Sequence, residues 1–216
     1  MTEPSLPAQQ SPSRYLEAVI GVACLSCTIA STRYAKDADK APAMEQRVEL
    51  LRMSAERVEA FEVLAAVGSE AGVEVYAAAQ GFVGMLDDVD SRLRPLDWQE
   101  RLVKTYLTFG MLVDFSMALA DGLPQPVRTR VLDALSVDRF GGFAARELEE
   151  GIAADPQLAA RLGLWGRRVV GEEIGTLQRV IAREPDLVAG GADAASLRTV
   201  LSQGATSRMR GLGLRM

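Results

Sequence analysis

Two pairs of side chains in this sequence have the type and spacing to do chemistry. Glu56 and Glu59 stand three residues apart in SAERVEAFEVL, and Cys24 and Cys27 do the same in CLSC. Three residues is just under one helical turn, so each pair can share a face. Two carboxylates buried together cannot both be ionised cheaply. One is driven towards neutrality and becomes fit to move a proton near pH 7. The alternatives are pairing with Arg52 or Arg57, or a Glu59 that points to solvent. The cysteines have redox or zinc spacing, yet a redox pair normally sits at a helix N-terminus and zinc needs a second ligand pair, which the chain lacks. They read as two core thiols. Histidine is absent altogether, which removes the commonest general base, every Ser-His or Cys-His arrangement and the commonest transition-metal ligand.

The elements that must position these groups are helical. Apolar residues recur at three-and-four spacing almost throughout, and period-two alternation is missing. A first helix is expected from Pro12 to about Asp37, capped by Ser11, with Leu16, Ile20, Ala23, Cys27, Ala30 and Tyr34 facing inward. A second runs from about Pro42 to Val67, with Val48, Leu51, Ala55 and Val58 in register. A Gly-spaced crossover of roughly 30 residues follows and holds a short helix around Phe82 to Val89. Asp97 and Glu100 form a capping-box pattern that opens a third long helix to about Ala120. Pro124 and Pro126 lead into a fourth, to about Ala154. Asp155-Pro156 starts a fifth that Pro185 ends, and a last helix reaches about Met209. Two helix pairs joined by one long crossover make the ferritin-like form of a four-helix bundle, here all-α with two additional C-terminal helices. The expected organisation is a disordered leader over 1–12, one helical domain over 13–212 and a tail over 213–216.

The composition narrows the partners. A chain of 216 residues, 48% hydrophobic and 25% charged, suits a soluble globular domain. No apolar run approaches membrane-spanning length and no signal-peptide plan opens the chain, so no membrane partner and a cytoplasmic location are expected. The net charge of −5 argues against nucleic acid; the basic tail carrying Arg208, Arg210 and Arg215 reads as a solvated terminus. Phosphate loops, dinucleotide fingerprints and serine nucleophile elbows are absent.

The segments DWQERLVKTYL, GFAARELEEGIAADPQLAARLGLWGRRVVGEE and LQRVIA resemble the bacterial ferritin-like proteins related to the tRNA hydroxylases that oxidise a hypermodified adenosine, over roughly residues 14–212. That resemblance implies a di-iron site: one carboxylate from each of two helices and a carboxylate-x-x-His pair from each of the other two. Carried over, the first carboxylate falls on Cys27. Glu56 is kept, its histidine partner becomes Glu59, the third-helix carboxylate falls near Phe109, and the last pair becomes Val137 and Phe140. Phe and Val at those positions leave coordination sites empty, so the metal site reads as lost and no cofactor is expected. A carboxylate-only centre of Glu56, Glu59, Asp114 and Asp138 is the alternative.

Without metal, the bundle centre is expected to hold Cys27, Glu56, Glu59, Tyr106, Phe109, Val137 and Phe140, with Asp114 or Asp138 brought inward by a slip in register. Gly110, Gly141 and Gly142 lie beside them. A helical glycine costs about 1 kcal/mol relative to alanine, which close packing against the rings or the clearing of a cavity would explain. Arg168 and Glu172 are read as an i,i+4 surface brace, with a Glu172 that touches a ligand as the alternative. The resulting expectation is a metal-independent enzyme acting on a hydrophobic small molecule by cyclisation, isomerisation or elimination, with Glu56 and Glu59 as catalytic acid and base. A non-catalytic binding or interaction scaffold and an atypical di-iron oxygenase are the alternatives, and a homodimer through an outer helix is expected by analogy.

Overall fold

The computed structural model describes residues 12–137 and 139–215. Among them are nine α-helices and one short 3-10 turn: α1 Arg14–Ala38, α2 Met44–Glu70, α3 Val75–Gln80, α4 Asp87–Arg92, α5 Trp98–Ala120, α6 Val127–Leu135, α7 Phe140–Ala154, α8 Pro156–Arg183, the turn Pro185–Val188, and α9 Ala194–Gly211. No strand occurs among the described residues. The expected leader lies outside them, up to residue 11.

Local chemistry explains most of the boundaries. Ser13, rather than Ser11, caps α1 by accepting the Leu16 amide at 3.2 Å, so Pro12 stands outside the helix. Asp97 caps α5 through the Glu100 amide, while the Glu100 carboxylate accepts the Leu96 amide one residue beyond the usual box. Asp155 caps α8 with Pro156 in its first turn, and Asp193 caps α9. The crossover holds two short helices, α3 and α4, where one was expected; residues 81–86 between them are turns. The expected fourth helix is broken after Leu135 and resumes at Phe140. The Ser136 hydroxyl turns back to the Asp133 carbonyl, and the Val137 carbonyl accepts a side-chain hydrogen bond from Arg57 at 2.6 Å.

α1 is the axis of the domain. Every residue from Val19 to Cys27 is buried, because α2, α3, α5 and the 3-10 turn all pack on it. The whole expected inward stripe from Leu16 to Tyr34 is buried. α5 forms the second axis, flanked by α8 and α9. α1 and α5 are each long and apolar enough to cross a membrane by length and composition, contrary to the sequence reading, although most of each apolar stretch is buried inside the domain. The chain is also packed beyond its expected end: the Leu214 amide donates to the Met209 carbonyl, and Leu214 is buried.

α2 shows a different face from the expected one. Its buried residues include Leu50, Met53, Arg57, Ala60, Phe61 and Leu64, while Leu51, Ala55 and Val58 are exposed. Both sets have helical spacing. The register is offset by one residue, and the buried face carries an arginine.

Gly21 sets the approach of α3 to α1. A Cβ there would meet the Ala78 carbonyl oxygen at 2.6 Å, and backbone cannot swing aside as a side-chain end can. Gly21→Ala should therefore cost about 1–3 kcal/mol of stability in urea unfolding despite the better helix propensity of alanine. A stability equal to or above that of the wild type would mean that α3 is free to shift.

Candidate functional site

At the bundle centre α1, α2, α5 and α7 converge on an aromatic cleft. It is lined by Ser26, Cys27, Ala30 and Tyr34 from α1, by Arg57 from α2, and by Thr105, Tyr106, Phe109, Gly110, Leu112 and Val113 from α5. Leu135, Val137 and Phe140 complete it. Tyr34 holds the cluster together. Its ring stacks on Phe140 with centroids 4.9 Å apart and meets the edge of Phe109 at 5.6 Å. Such pairs are worth about 0.5–1.5 kcal/mol each beyond their burial. The enclosed free volume is about 20 Å³, rising to about 470 Å³ when interstices and the open mouth are counted. The enclosed part holds about one water.

The expected substrate-contacting residues fall into three groups. Cys27, Phe109 and Phe140 are buried in the cleft wall, and Tyr106 is partly buried there. Val137 lies at the rim with its side chain exposed. Asp114 faces away from the centre: on the α9 side of α5 it takes both Arg208 nitrogens, at 2.5 and 2.9 Å. Asp138 lies outside the described residues. The carboxylates expected to do catalysis do not meet inside the bundle. Glu56 pairs with Arg139 at the α2–α7 edge at 2.5 Å, and Glu59 is exposed. Glu49–Arg146 continues the same edge. Both carboxylates lie beside the inward α2 face rather than on it.

Two of the three glycines also have a reason. A Cβ on Gly110 would collide with Arg208, so Gly110 admits the Asp114–Arg208 pair; Gly204 on α9 admits it from the other side. A Cβ on Gly141 would meet the Tyr106 ring at 2.9 Å, the close ring packing expected there, whereas one on Gly142 would meet only the Arg146 side chain at 3.9 Å, an ordinary contact. Arg208 is thus a buttress of α9 on α5 rather than part of a solvated tail. The Arg168 and Glu172 brace runs to α4: Glu172 pairs with Arg92 and Arg168 donates to the Arg92 carbonyl.

A family model described as a ferritin-like domain of actinomycetes matches residues 13–190. The chain belongs to this family. No curated protein matches it by sequence. Among solved structures, protein 19 with aldehyde deformylating oxidase activity from Synechococcus superposes with a TM-score of 0.71 at 18% identity, covering 94% of this chain and 93% of that one. At that identity the likeness establishes the ferritin-like fold.

The ferritin-like fold implies a pair of metal ions held by inward carboxylates and histidines, and the donor set of this member does not fit them. Among the described residues, no three His, Cys, Asp or Glu side chains gather to hold an ion. The inward position on α1 is Cys27, whose thiol burial pushes up to about 11, so it stays protonated. The inward position on α2 is Arg57, itself a cation. The rest are Phe109, Leu112 and Phe140. Cys24, pushed up to about 12 by burial, is as inert, and both cysteines are free thiols.

A second polar group, missed in the sequence, runs along α5 beside the cleft. Thr105 donates to Asp37 at 2.6 Å, with Arg101 on the other oxygen at 3.0 Å. Lys104 donates to Asp90 and to the Leu93 carbonyl, and Thr108 donates to Glu173 at 2.6 Å. Glu173 is fully buried and its Oε2 has no hydrogen-bond partner among the described residues. The signal was available: Glu173 lies on the apolar stripe Val169, Val170, Thr176, Leu177 and Val180, whereas Glu172 lies off it. Burial drives the Glu173 carboxyl up to about 7, against the Thr108 hydrogen bond and the Lys104 charge, which lower it. The folded state therefore binds a proton that the unfolded state has released. The stabilisation is complete below the ordinary glutamate range and is lost as pH rises through about 7. Relative to Glu173→Gln, the wild type should lose about 3 kcal/mol between pH 4.5 and pH 8, read by chemical denaturation at each pH. A constant difference between the two proteins across that range would refute the protonated buried acid.

Proposed function

We propose that this ferritin-like protein works without metal and takes up a hydrophobic small molecule in the aromatic cleft at the bundle centre. One observation carries the reading. The inward positions hold Cys27, Arg57, Phe109 and Phe140 in place of metal donors, and what they line is an apolar cleft with a few polar groups, the general character of a small-molecule site. The cleft is filled by its own rings, so uptake requires those side chains to rotate, a common adjustment on binding. Nucleic acid and membrane are not partners in this reading, and the location is cytoplasmic. Pairing of two copies would use the exposed stripe Met44, Leu51 and Val58 on α2. Kinship with the tRNA hydroxylases, narrower than the ferritin-like family, rests on the segments quoted above.

A second reading adds catalysis of the cyclisation, isomerisation or elimination type. It is favoured by Glu56, which stands at the edge of α2 and α7, close in sequence to Arg57 and in contact with Arg139. In this reading cleft shape and desolvation supply most of the rate, and Glu56, rather than the exposed Glu59, would leave Arg139 to move a proton.

The neutral fluorophore N-phenyl-1-naphthylamine tests uptake. It should bind the wild type saturably at one site per chain. Ala30→Phe, which adds a ring to the cleft wall, should lower that affinity at least about tenfold with the fold intact by circular dichroism. Metal analysis of protein grown in iron-replete medium should give well under one ion per chain. Two ions per chain, or fluorophore binding untouched by Ala30→Phe, would sink the proposal.

A further inference from the structure

We infer that the ligand of the cleft carries an anionic head, a carboxylate or its equivalent, and that Arg57 is the residue that holds it. The inference rests on the uptake reading above and names the class of molecule taken up. Arg57 is 8% exposed and reaches from α2 into the cleft whose walls carry the rings of Tyr34, Tyr106, Phe109 and Phe140. Its one hydrogen bond among the described residues goes from a terminal nitrogen to the Val137 carbonyl, at 2.6 Å. A guanidinium has five N–H donors in a planar fork that matches a carboxylate at two points.

The neighbouring acids are committed elsewhere or turned outward. Glu56 pairs with Arg139, Asp114 with Arg208 and Asp37 with Arg101, while Glu59 is exposed. No carboxylate among the described residues pairs with Arg57. A buried charge without a counter-charge is costly to keep. The other buried cation shows the contrast: Lys104, 3% exposed, is met by Asp90 at 2.7 Å and the Leu93 carbonyl at 2.8 Å. Arg57 thus supplies at the centre of the bundle a fixed positive charge in an apolar, ring-lined site. Its complement is an amphiphile: an apolar body against the rings and an acid group on the guanidinium.

Displacement of N-phenyl-1-naphthylamine by 4-phenylbutyrate and by 4-phenylbutan-1-ol tests this, since the two competitors share a body and differ in charge. With the wild type the acid should displace the fluorophore at a concentration at least about tenfold lower than the alcohol. Arg57→Met should bring the two within about twofold, and Arg57→Lys, which keeps the charge but loses the fork, should restore part of the preference. Equal displacement by acid and alcohol in the wild type, or an acid preference unchanged in Arg57→Met, overturns the anchor and leaves the uptake reading standing. Failure of the fluorophore to bind at all removes both. Should Arg57→Met not fold, the decision falls to the wild-type ratio and to Arg57→Lys: an acid preference as strong in Arg57→Lys as in the wild type would overturn the fork.

Discussion

The structure depends on one constraint: nine consecutive residues of α1, from Val19 to Cys27, are buried on every side. A helix with no solvent face cannot be stabilised by one amphipathic stripe; it needs partners all round. α2, α3, α5 and the 3-10 turn supply them. The short crossover helices follow from the same requirement, since α3 closes the side of α1 that the long helices leave open. It can do so only because Gly21 has no Cβ. Once α1 is enclosed, the positions of Cys27, Ala30 and Tyr34 at the centre are settled, and the chemistry of the cleft is decided by what the other helices bring to meet them.

What they bring is mostly rings. Tyr34 touches Phe140 and Phe109 together, tying α1 to α7 and α5 at the bundle centre. Stacked rings fill space that coordinated ions and their carboxylates would otherwise take. The exchange removes the need for several buried negative charges. It also explains why the remaining carboxylates of this region are found at edges: Glu56 and Glu49 bind arginines of α7, and Asp114 binds Arg208 of α9. Each clamps one helix to the next.

The helical architecture was legible in the sequence because capping residues and three-and-four spacing report local physics. Asp97, Asp155 and Asp193 mark helix starts within a residue or two. The site was less legible because α2 carries two apolar stripes at helical spacing. Val48, Leu51, Ala55 and Val58 form an unbroken one, while Leu50, Met53, Ala60 and Leu64 are interrupted by Arg57. Pattern reading prefers the unbroken stripe, whereas packing chose the other. The resemblance puts Glu56 and Glu59 inward, whereas the packed face of α2 carries Arg57 between them. Glu173 was passed over because a charged residue on a buried stripe is discounted although its position is its message. The break between α6 and α7 was hidden too, because the Arg57 side chain that donates to the freed Val137 carbonyl comes from 80 residues away.

The buried polar groups of this domain are of two kinds, and the distinction separates support from function. Buried Asp37 pairs with Arg101 and buried Lys104 with the exposed Asp90, and this row along α5 joins α1 and α4 at modest net cost. Removing any one member would strand another, so they act as structure. Glu173 relieves its burial by holding a proton, which is again a solution internal to the fold. Arg57 has neither route. A guanidinium cannot give up its proton, and no acid among the described residues stands against it. A fold that keeps such a group at its centre bears a cost that a passing neutral molecule would not relieve. An anion seated on Arg57 would relieve it, and the same contact would bind and orient that molecule against the rings.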